Sequence, residues 1–264
     1  GYGFLTVIST MSWGLGYFGM PQVLLRFMAI RDPRELKRSR RIGTTWCVIA
    51  LFAAVLIGVI GRAMYPSALL TSVDSESVFI LLATNLMPAL VAGIVMAGIL
   101  AATISSSDSY LLIAASAFSK NIYQGVVKKQ ATDKQVMTMS RIALLAISLI
   151  GIVIALDEKS VIFTIVSFAW AGFGATFGPL MILSLFWKRI NRQGAIAGML
   201  GGAATVFIWK LLIRPMGGIL GIYELLPAFL VSLIAIVVVS LLTPEPETGI
   251  KEEFERVKAA FKSA

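Results

Sequence analysis

Seven long apolar stretches divide the chain, and this pattern restricts its fold more than any single motif does. A helix needs about 20 consecutive apolar residues to cross a bilayer. Only 14% of the residues are charged, whereas an ordinary soluble domain has about 25%. Because a spanning segment has to satisfy its own backbone hydrogen bonds, the pattern predicts an all-α polytopic membrane protein. The stretches cover about 4–30, 42–63, 86–119, 136–156, 160–187, 194–213 and 222–243, and a charged tail occupies 244–264.

Two residue types that build many active sites are scarce in this chain. It has no histidine and a single cysteine, Cys47. A disulfide framework, a Cys/His zinc site and a histidine-based catalytic triad are therefore excluded for these residues. The one dense row of serines has no base beside it in the sequence, so we expect no enzyme activity and no catalytic residue.

Basic residues gather at alternate ends of the apolar stretches. The loops 31–41, 120–141 and 188–192, together with the tail, hold most of the 23 lysines and arginines. The positive-inside rule places these loops and the C-terminus in the cytoplasm. The net charge of +9 therefore reflects topology, and we expect no nucleic-acid partner. The intervening loops hold only Arg62, Lys159, Lys210 and Arg214.

The first apolar stretch contains a helix-breaking pattern between Ser12 and Gln22. Glycine weakens a helix, and proline removes one of its hydrogen bonds. Freed backbone groups are tolerated inside a membrane only where protein or a water-filled cavity satisfies them, and interrupted helices of this kind mark solute sites in transporters. Trp13 and Tyr17, each apolar with one polar group, flank the interruption. The interrupting residues are Gly14, Gly16, Gly19 and Pro21.

A second pattern is a cluster of hydroxyl side chains in the third stretch. Because residues three and four apart share a helix face, Ala102, Ser105 and Ser106 lie on one side. Neutral oxygens at close range suit a hard cation such as sodium, but small hydroxyl residues also favour close helix packing. Asp108, an acid within the same stretch, is a candidate accessory residue that either contributes to an ion site or lines a cytoplasmic vestibule.

Glycines also cluster in the fifth and sixth apolar stretches. Gly172, Gly174, Gly178 and Pro179 in the fifth stretch form either a hinge or a close packing surface. The pair Gly201–Gly202 in the sixth stretch indicates packing. Two short helices are also predicted, one at 77–84 with Ser75 or Ser77 as its N-cap, and one at 250–262 in the tail.

Three motifs in this order resemble the sodium:solute symporter family. They read WGLGYFGMPQVLLRFMA at 13–29, AGILAATISSSDSYLLIAASA at 97–117 and FAWAGFGATFGP at 168–179. The resemblance covers nearly the whole chain. It implies a LeuT-like fold of two inverted five-helix repeats with extra helices, of which this chain looks like the second repeat plus two C-terminal helices. The first repeat would then be a missing N-terminal part of the same protein.

The resemblance also implies a function and a set of site residues. It implies symport of sodium with L-proline across the bacterial cytoplasmic membrane by alternating access. By resemblance, Trp13, Tyr17 and Pro21 line the proline site. Gly14, Gly16 and Gly19, which interrupt the same helix, are candidate accessory residues. The carbonyl of Ala102 and the hydroxyls of Ser105 and Ser106 match sodium ligands, and further ligands come from the first repeat.

The sequence leaves two alternatives to proline symport open. One is a sodium symporter for another small organic solute. The other is a membrane sensor that binds a solute without transporting it, although the tail 244–264 is short for a signalling domain.

Overall fold

The computed structural model describes residues 3–68, 70–156 and 162–262, and these ranges contain helices and no strand. Six helical segments are long and apolar enough to cross a membrane: 33–64, 89–127, 133–155, 162–186, 192–216 and 225–242. The prediction of an all-α polytopic membrane protein is confirmed. The α-helices are α1 (Phe4–Gly16), α2 (Pro21–Met28), α3 (Leu36–Met64), α4 (Ser72–Glu76), α5 (Val78–Leu86), α6 (Ala89–Ala117), α7 (Asp133–Ala155), α8 (Ile162–Phe186), α9 (Arg192–Ile208), α10 (Leu225–Leu242) and α11 (Thr248–Lys262).

The described residues form two compact units. The first contains the residues up to Trp46 together with those from Ile162 onward, and the second contains the residues from Cys47 to position 156. In the first unit, α8, α9 and α10 pack against one another and α1 packs on α8 and α10. Ala171, Ala175, Val206, Leu225 and Phe229 form the core of this unit.

Glycines let α9 approach its neighbours closely. A Cβ on Gly202 would lie 2.5 Å from the carbonyl oxygen of Ala175 in α8. Gly194 and Gly198 precede Gly202 at four-residue intervals on the same face, and a Cβ on them would overlap Ser240 and Ile236 of α10, respectively. The packing role predicted for the Gly201–Gly202 pair is therefore confirmed for Gly202, and the contact extends along a stripe of three glycines.

Asn191 ties the start of α9 to the end of α10. Its side-chain oxygen caps α9 by accepting a hydrogen bond from the Gly194 N–H at 2.9 Å. Its side-chain nitrogen donates to the Thr243 hydroxyl and to the Pro244 carbonyl, each at 2.7 Å. Because this side chain is buried and makes these bonds, it fixes the two helix ends against each other.

The tail helix α11 confirms the helix predicted at 250–262. Ion pairs join the tail to the residues that follow α8, between Lys188 and Glu255 of α11 at 3.6 Å and between Arg189 and Glu245, which precedes α11, at 3.9 Å. The side-chain hydrogen bond from Lys251 lowers the pKa of Glu245 below its usual range.

In the second unit, α6 is the longest element. It continues without interruption into a π-helical segment at Phe118–Val127, so the helix itself runs past residue 119. The helix predicted at 77–84 is confirmed as α5, and Ser77, one of the two predicted N-caps, occupies the N-cap position, although its side chain makes no capping hydrogen bond. The preceding helix α4 has a capping box, in which the Thr71 hydroxyl accepts from the Asp74 N–H at 3.1 Å.

Candidate functional site

The predicted interruption of the first apolar stretch is present between α1 and α2. The N–H groups of Tyr17, Phe18 and Gly19 bond to carbonyls three residues back, at 3.4, 3.3 and 3.0 Å. Helical bonds of this shorter spacing tighten the end of α1. Met20 then adopts an extended conformation, and α2 begins at Pro21, where a missing N–H does no harm. We call residues 17–20 the break.

The break frees the carbonyl of Trp13, and a distant tryptophan binds it. The Tyr17 N–H donates to the Gly14 carbonyl, whereas in a regular α-helix it would donate to the Trp13 carbonyl, four residues back. The indole N–H of Trp170 in α8 donates to the Trp13 carbonyl at 3.0 Å. The freed backbone group is thus satisfied by protein, as a buried site in a membrane demands.

Two glycines of the interruption make this contact sterically possible. A Cβ on Gly16 would overlap the indole nitrogen of Trp170, and one on Gly19 would overlap the carbonyl of Phe173 in α8. A Cβ on Gly14 meets nothing within 4 Å. Gly16 and Gly19 therefore serve as points of close contact with α8, which is a second reason for glycine besides the loss of helix.

The glycines of α8 form the other side of this contact. A Cβ on Gly174 would lie 2.7 Å from Cα of Gly16, and one on Gly178 would lie 2.6 Å from the Phe229 ring in α10. Helix α8 itself is continuous through Pro179. Of the two interpretations left open by the sequence, the structure supports close packing for Gly174 and Gly178.

Aromatic rings gather around the break. Trp13 stacks on Phe163 and on Trp170, with ring centroids 5.2 Å apart in each pair. Tyr17 meets the edge of Trp170 at 4.8 Å and is 51% exposed. The structure thus brings Trp13 and Tyr17 together through Trp170, a residue that the sequence did not indicate.

A pocket of about 440 Å³ opens beside Trp13 in the same unit. The Tyr223 hydroxyl donates to the Ser167 carbonyl at 2.5 Å, and the Tyr223 N–H donates to the Ser9 hydroxyl oxygen at 3.1 Å. These bonds join α1, α8 and the segment before α10. We call this the Arg214 pocket; it is lined by Ser9, Thr10, Trp13, Phe163, Ser167, Arg214 and Tyr223.

A buried acid lies next to this pocket. Glu224 is fully buried, and its carboxylate accepts a hydrogen bond from Arg214 at 2.6 Å and lies 3.6 Å from the Lys210 ammonium. An acid without partners would be costly there, so the two cations compensate it. Sequence reasoning missed this group, although Lys210 and Arg214 stood out as two of the few basic residues in their loops.

The proposed ion ligands lie in the other unit. Ala102, Ser105 and Ser106 occupy one face of the regular helix α6 and are exposed, as is Asp108. A helical carbonyl such as that of Ala102 keeps a second lone pair after its backbone bond. Within the described residues no group of three or more acidic or cysteine side chains could hold a metal ion.

Comparisons with known proteins identify the family of this chain. The model of the family described as "Sodium:solute symporter family" matches residues 3–202. The high-affinity proline transporter PutP of Bacillus subtilis is 41% identical over 95% of this chain and 52% of its own length. The sodium/proline symporter of Escherichia coli is 40% identical over 100% of this chain and 52% of its own length. The osmoregulated proline transporter OpuE of Bacillus subtilis is 41% identical over 92% of this chain and 49% of its own length. The chain spans about half the length of these relatives.

Proposed function

Since the chain belongs to the sodium:solute symporter family, we propose that it is the second half of a sodium-coupled symporter for L-proline. Its helices would form the second inverted repeat of a LeuT-like fold and two additional C-terminal helices. The observation that carries the proposal is the break, because it combines an interrupted membrane helix with Trp13 and Tyr17 held in place by Trp170.

The break offers two kinds of contact to a small zwitterion. Helix α2 starts at Pro21, and the N-terminus of a half-helix favours an anion such as the proline carboxylate. The apolar ring of proline would pack on Trp13 or Tyr17, whose faces are large and rigid. Pro21 thus sets the start of α2, while the two aromatic residues provide the apolar surface.

Sodium would bind to the serine face of α6. The Ala102 carbonyl and the hydroxyls of Ser105 and Ser106 supply hard oxygen ligands, and the first repeat would supply the others. Coupling needs only that sodium and proline both bind one conformation better than the other. Alternation of that conformation between the two sides of the membrane would then move both ligands together.

Uptake of labelled proline by the full-length protein tests this function. We expect uptake to require sodium, and uptake that is unchanged when choline replaces sodium would refute the coupling. A panel of unlabelled amino acids and other small solutes, added as competitors, identifies the substrate. Strong competition by another solute and none by proline would replace proline in the proposal.

Serine variants test the ion site. Ser105→Ala and Ser106→Ala remove proposed ligands, so the sodium concentration for half-maximal uptake should rise on the order of tenfold. Ser107→Ala is the matched control, because at about 100° per residue Ser107 lies on the opposite side of α6. An equal rise in all three variants would show that α6 responds to any loss of a hydroxyl, and that Ser105 and Ser106 hold no ion.

A further inference from the structure

We propose that the Arg214 pocket is a binding subsite beside the break that receives the carboxylate of a small apolar amino acid. The inference rests on the proposed function, because it places the subsite on the path of the transported solute. The pocket shares Trp13 with the break, so a molecule leaving the pocket meets a ring that also belongs to the proposed proline site.

Arg214 is bound to a buried carboxylate and also lines the pocket. Its Nη1 donates to Glu224 at 2.6 Å, and its side chain is 37% exposed where it lines the pocket. A guanidinium has five N–H donors, so one bond to Glu224 leaves others for a ligand. Glu224 is fully buried and holds the guanidinium of Arg214. The arginine side chain therefore loses little conformational entropy when a ligand binds.

The local charge balance also favours an anion. Lys210 and Arg214 together face one carboxylate, that of Glu224, which leaves one positive charge in the cluster. One cation would suffice to neutralise the buried acid. Among the residues that the structure describes, no acid lines the pocket to balance the second cation. The excess charge lies at the end of the helical segment 192–216, on the side of the chain where basic residues are few, so the positive-inside rule does not account for it.

The walls of the pocket fit the rest of a small amino acid. Trp13 and Phe163 supply stacked apolar faces at 5.2 Å from each other. The Ser9 oxygen accepts from the Tyr223 N–H, which leaves its hydroxyl proton free to be donated to a ligand. A volume of about 440 Å³ lies within the range of small-molecule sites. These groups offer both an apolar surface and hydrogen-bond donors to a ligand.

The position of the pocket suits an entry site. Phe163 lies at the start of α8, whereas the basic residues Lys188 and Arg189 follow the end of this helix. If Lys188 and Arg189 face the cytoplasm, as the positive-inside rule requires, the pocket faces the outside. A solute from outside would then reach the Arg214 pocket before the break.

The test uses the full-length protein and a double variant, Arg214→Gln/Glu224→Gln. This variant removes one cation and one anion, so the net charge of the cluster is unchanged. Because the Glu224 carboxylate is removed as well, no buried carboxylate is left without Arg214. Losing a charge-assisted bond should raise the KM for proline uptake about tenfold, with the rate at saturation nearly unchanged. Arg214→Lys should raise KM less, because lysine keeps the positive charge but lacks the paired N–H donors of the guanidinium. Arg62→Gln, which removes an arginine outside the pocket, should leave KM as it is.

L-prolinamide, which lacks the carboxylate, separates binding from a purely structural role. In the wild-type protein we expect it to inhibit proline uptake far more weakly than unlabelled proline does. In the double variant this difference should shrink, because Arg214 no longer distinguishes the two. An unchanged KM, or an undiminished preference for proline over prolinamide, would overturn the subsite.

The proposed subsite can be tested separately from proline symport. If the wild-type protein takes up no proline, the proposed function fails, and calorimetric titration of the purified protein with L-proline and with cyclopentanecarboxylate tests the pocket alone. Binding of either carboxylate that the double variant abolishes supports the subsite. Absence of binding, or binding that is equal in the two proteins, overturns it.

Discussion

At the scale of single residues, Trp170 is the side chain on which the geometry of the break depends. Its N–H binds the Trp13 carbonyl at 3.0 Å, and its ring contacts both Trp13 and Tyr17. Trp170→Phe keeps an aromatic ring and removes the donor. Leaving a buried carbonyl unpaired costs about 1–3 kcal/mol, and the Trp13 carbonyl is partly buried. We therefore expect the full-length variant to show a KM for proline raised about tenfold and a lower melting temperature in detergent.

A second tryptophan provides the matched control. Trp209 also donates its indole N–H to a carbonyl, that of Ile222 at 3.2 Å, but its ring contacts neither Trp13 nor Tyr17. Trp209→Phe should therefore lower the melting temperature by a similar amount without the change in KM. If both variants raise KM equally, the bond from Trp170 has no special role at the break.

The same residues show how far the sequence could lead. Trp13, Tyr17 and Pro21 were found because glycine and proline disturb a helix locally, and local disturbance is visible in a single sequence. Trp170 lies 157 positions from its partner, so only the packed structure reveals the bond. Gly16 was predicted as an accessory position for its effect on the helix, and the structure adds that no side chain fits beside the Trp170 indole.

At the scale of helices, the stripe of glycines on α9 determines how closely α8, α9 and α10 pack. Gly202→Ala places a Cβ 2.5 Å from a backbone oxygen of α8, and a backbone atom cannot move aside cheaply. Overpacking of this kind typically costs about 1–3 kcal/mol, which outweighs the gain of about 1 kcal/mol in helix propensity. We expect a lower melting temperature for the full-length protein in detergent.

The adjacent glycine separates packing from propensity. A Cβ on Gly201 would meet its nearest neighbour, Ala235, at 3.7 Å, which is ordinary contact. Gly201→Ala therefore has the same gain in propensity without the clash, and its melting temperature should equal or exceed that of the wild type. Equal destabilisation by both variants would mean that the close approach of α9 to α8 at Gly202 is not important for stability.

Helix type was easier to predict than helix contact. Long apolar stretches determine that these segments are helical, because nothing else satisfies their backbone in a membrane. The pair Gly201–Gly202 stood out as a dipeptide, but the contact follows the four-residue spacing of Gly194, Gly198 and Gly202, which a search for adjacent glycines misses. The N-cap Thr71 was also missed, although the local spacing of Thr71 and Asp74 is that of a capping box.

At the scale of the molecule, the two units bury their apolar helices to different extents. In α8 and α10, 33% of the residues in the apolar 18-residue stretch that could span the membrane are buried, whereas in α3, α6 and α7 the share is 6%. Exposed apolar helices need lipid or further protein to cover them. The proposal supplies both, because a membrane surrounds the helices and the first repeat would contribute the remaining ligands to the serine face of α6.

The distribution of charge predicts an orientation in the membrane that can be tested at two positions. We predict that the end of α8 bearing Lys188 and the tail helix α11 lie in the cytoplasm, because basic loops stay on that side. In a cysteine-free full-length protein, Lys258→Cys on α11 should react with a membrane-impermeant maleimide only after the cells are opened. Ser67→Cys, between α3 and α4, should react in intact cells. Labelling of Lys258→Cys in intact cells would reverse the orientation, and the Arg214 pocket would then face the cytoplasm and could not be an entry site.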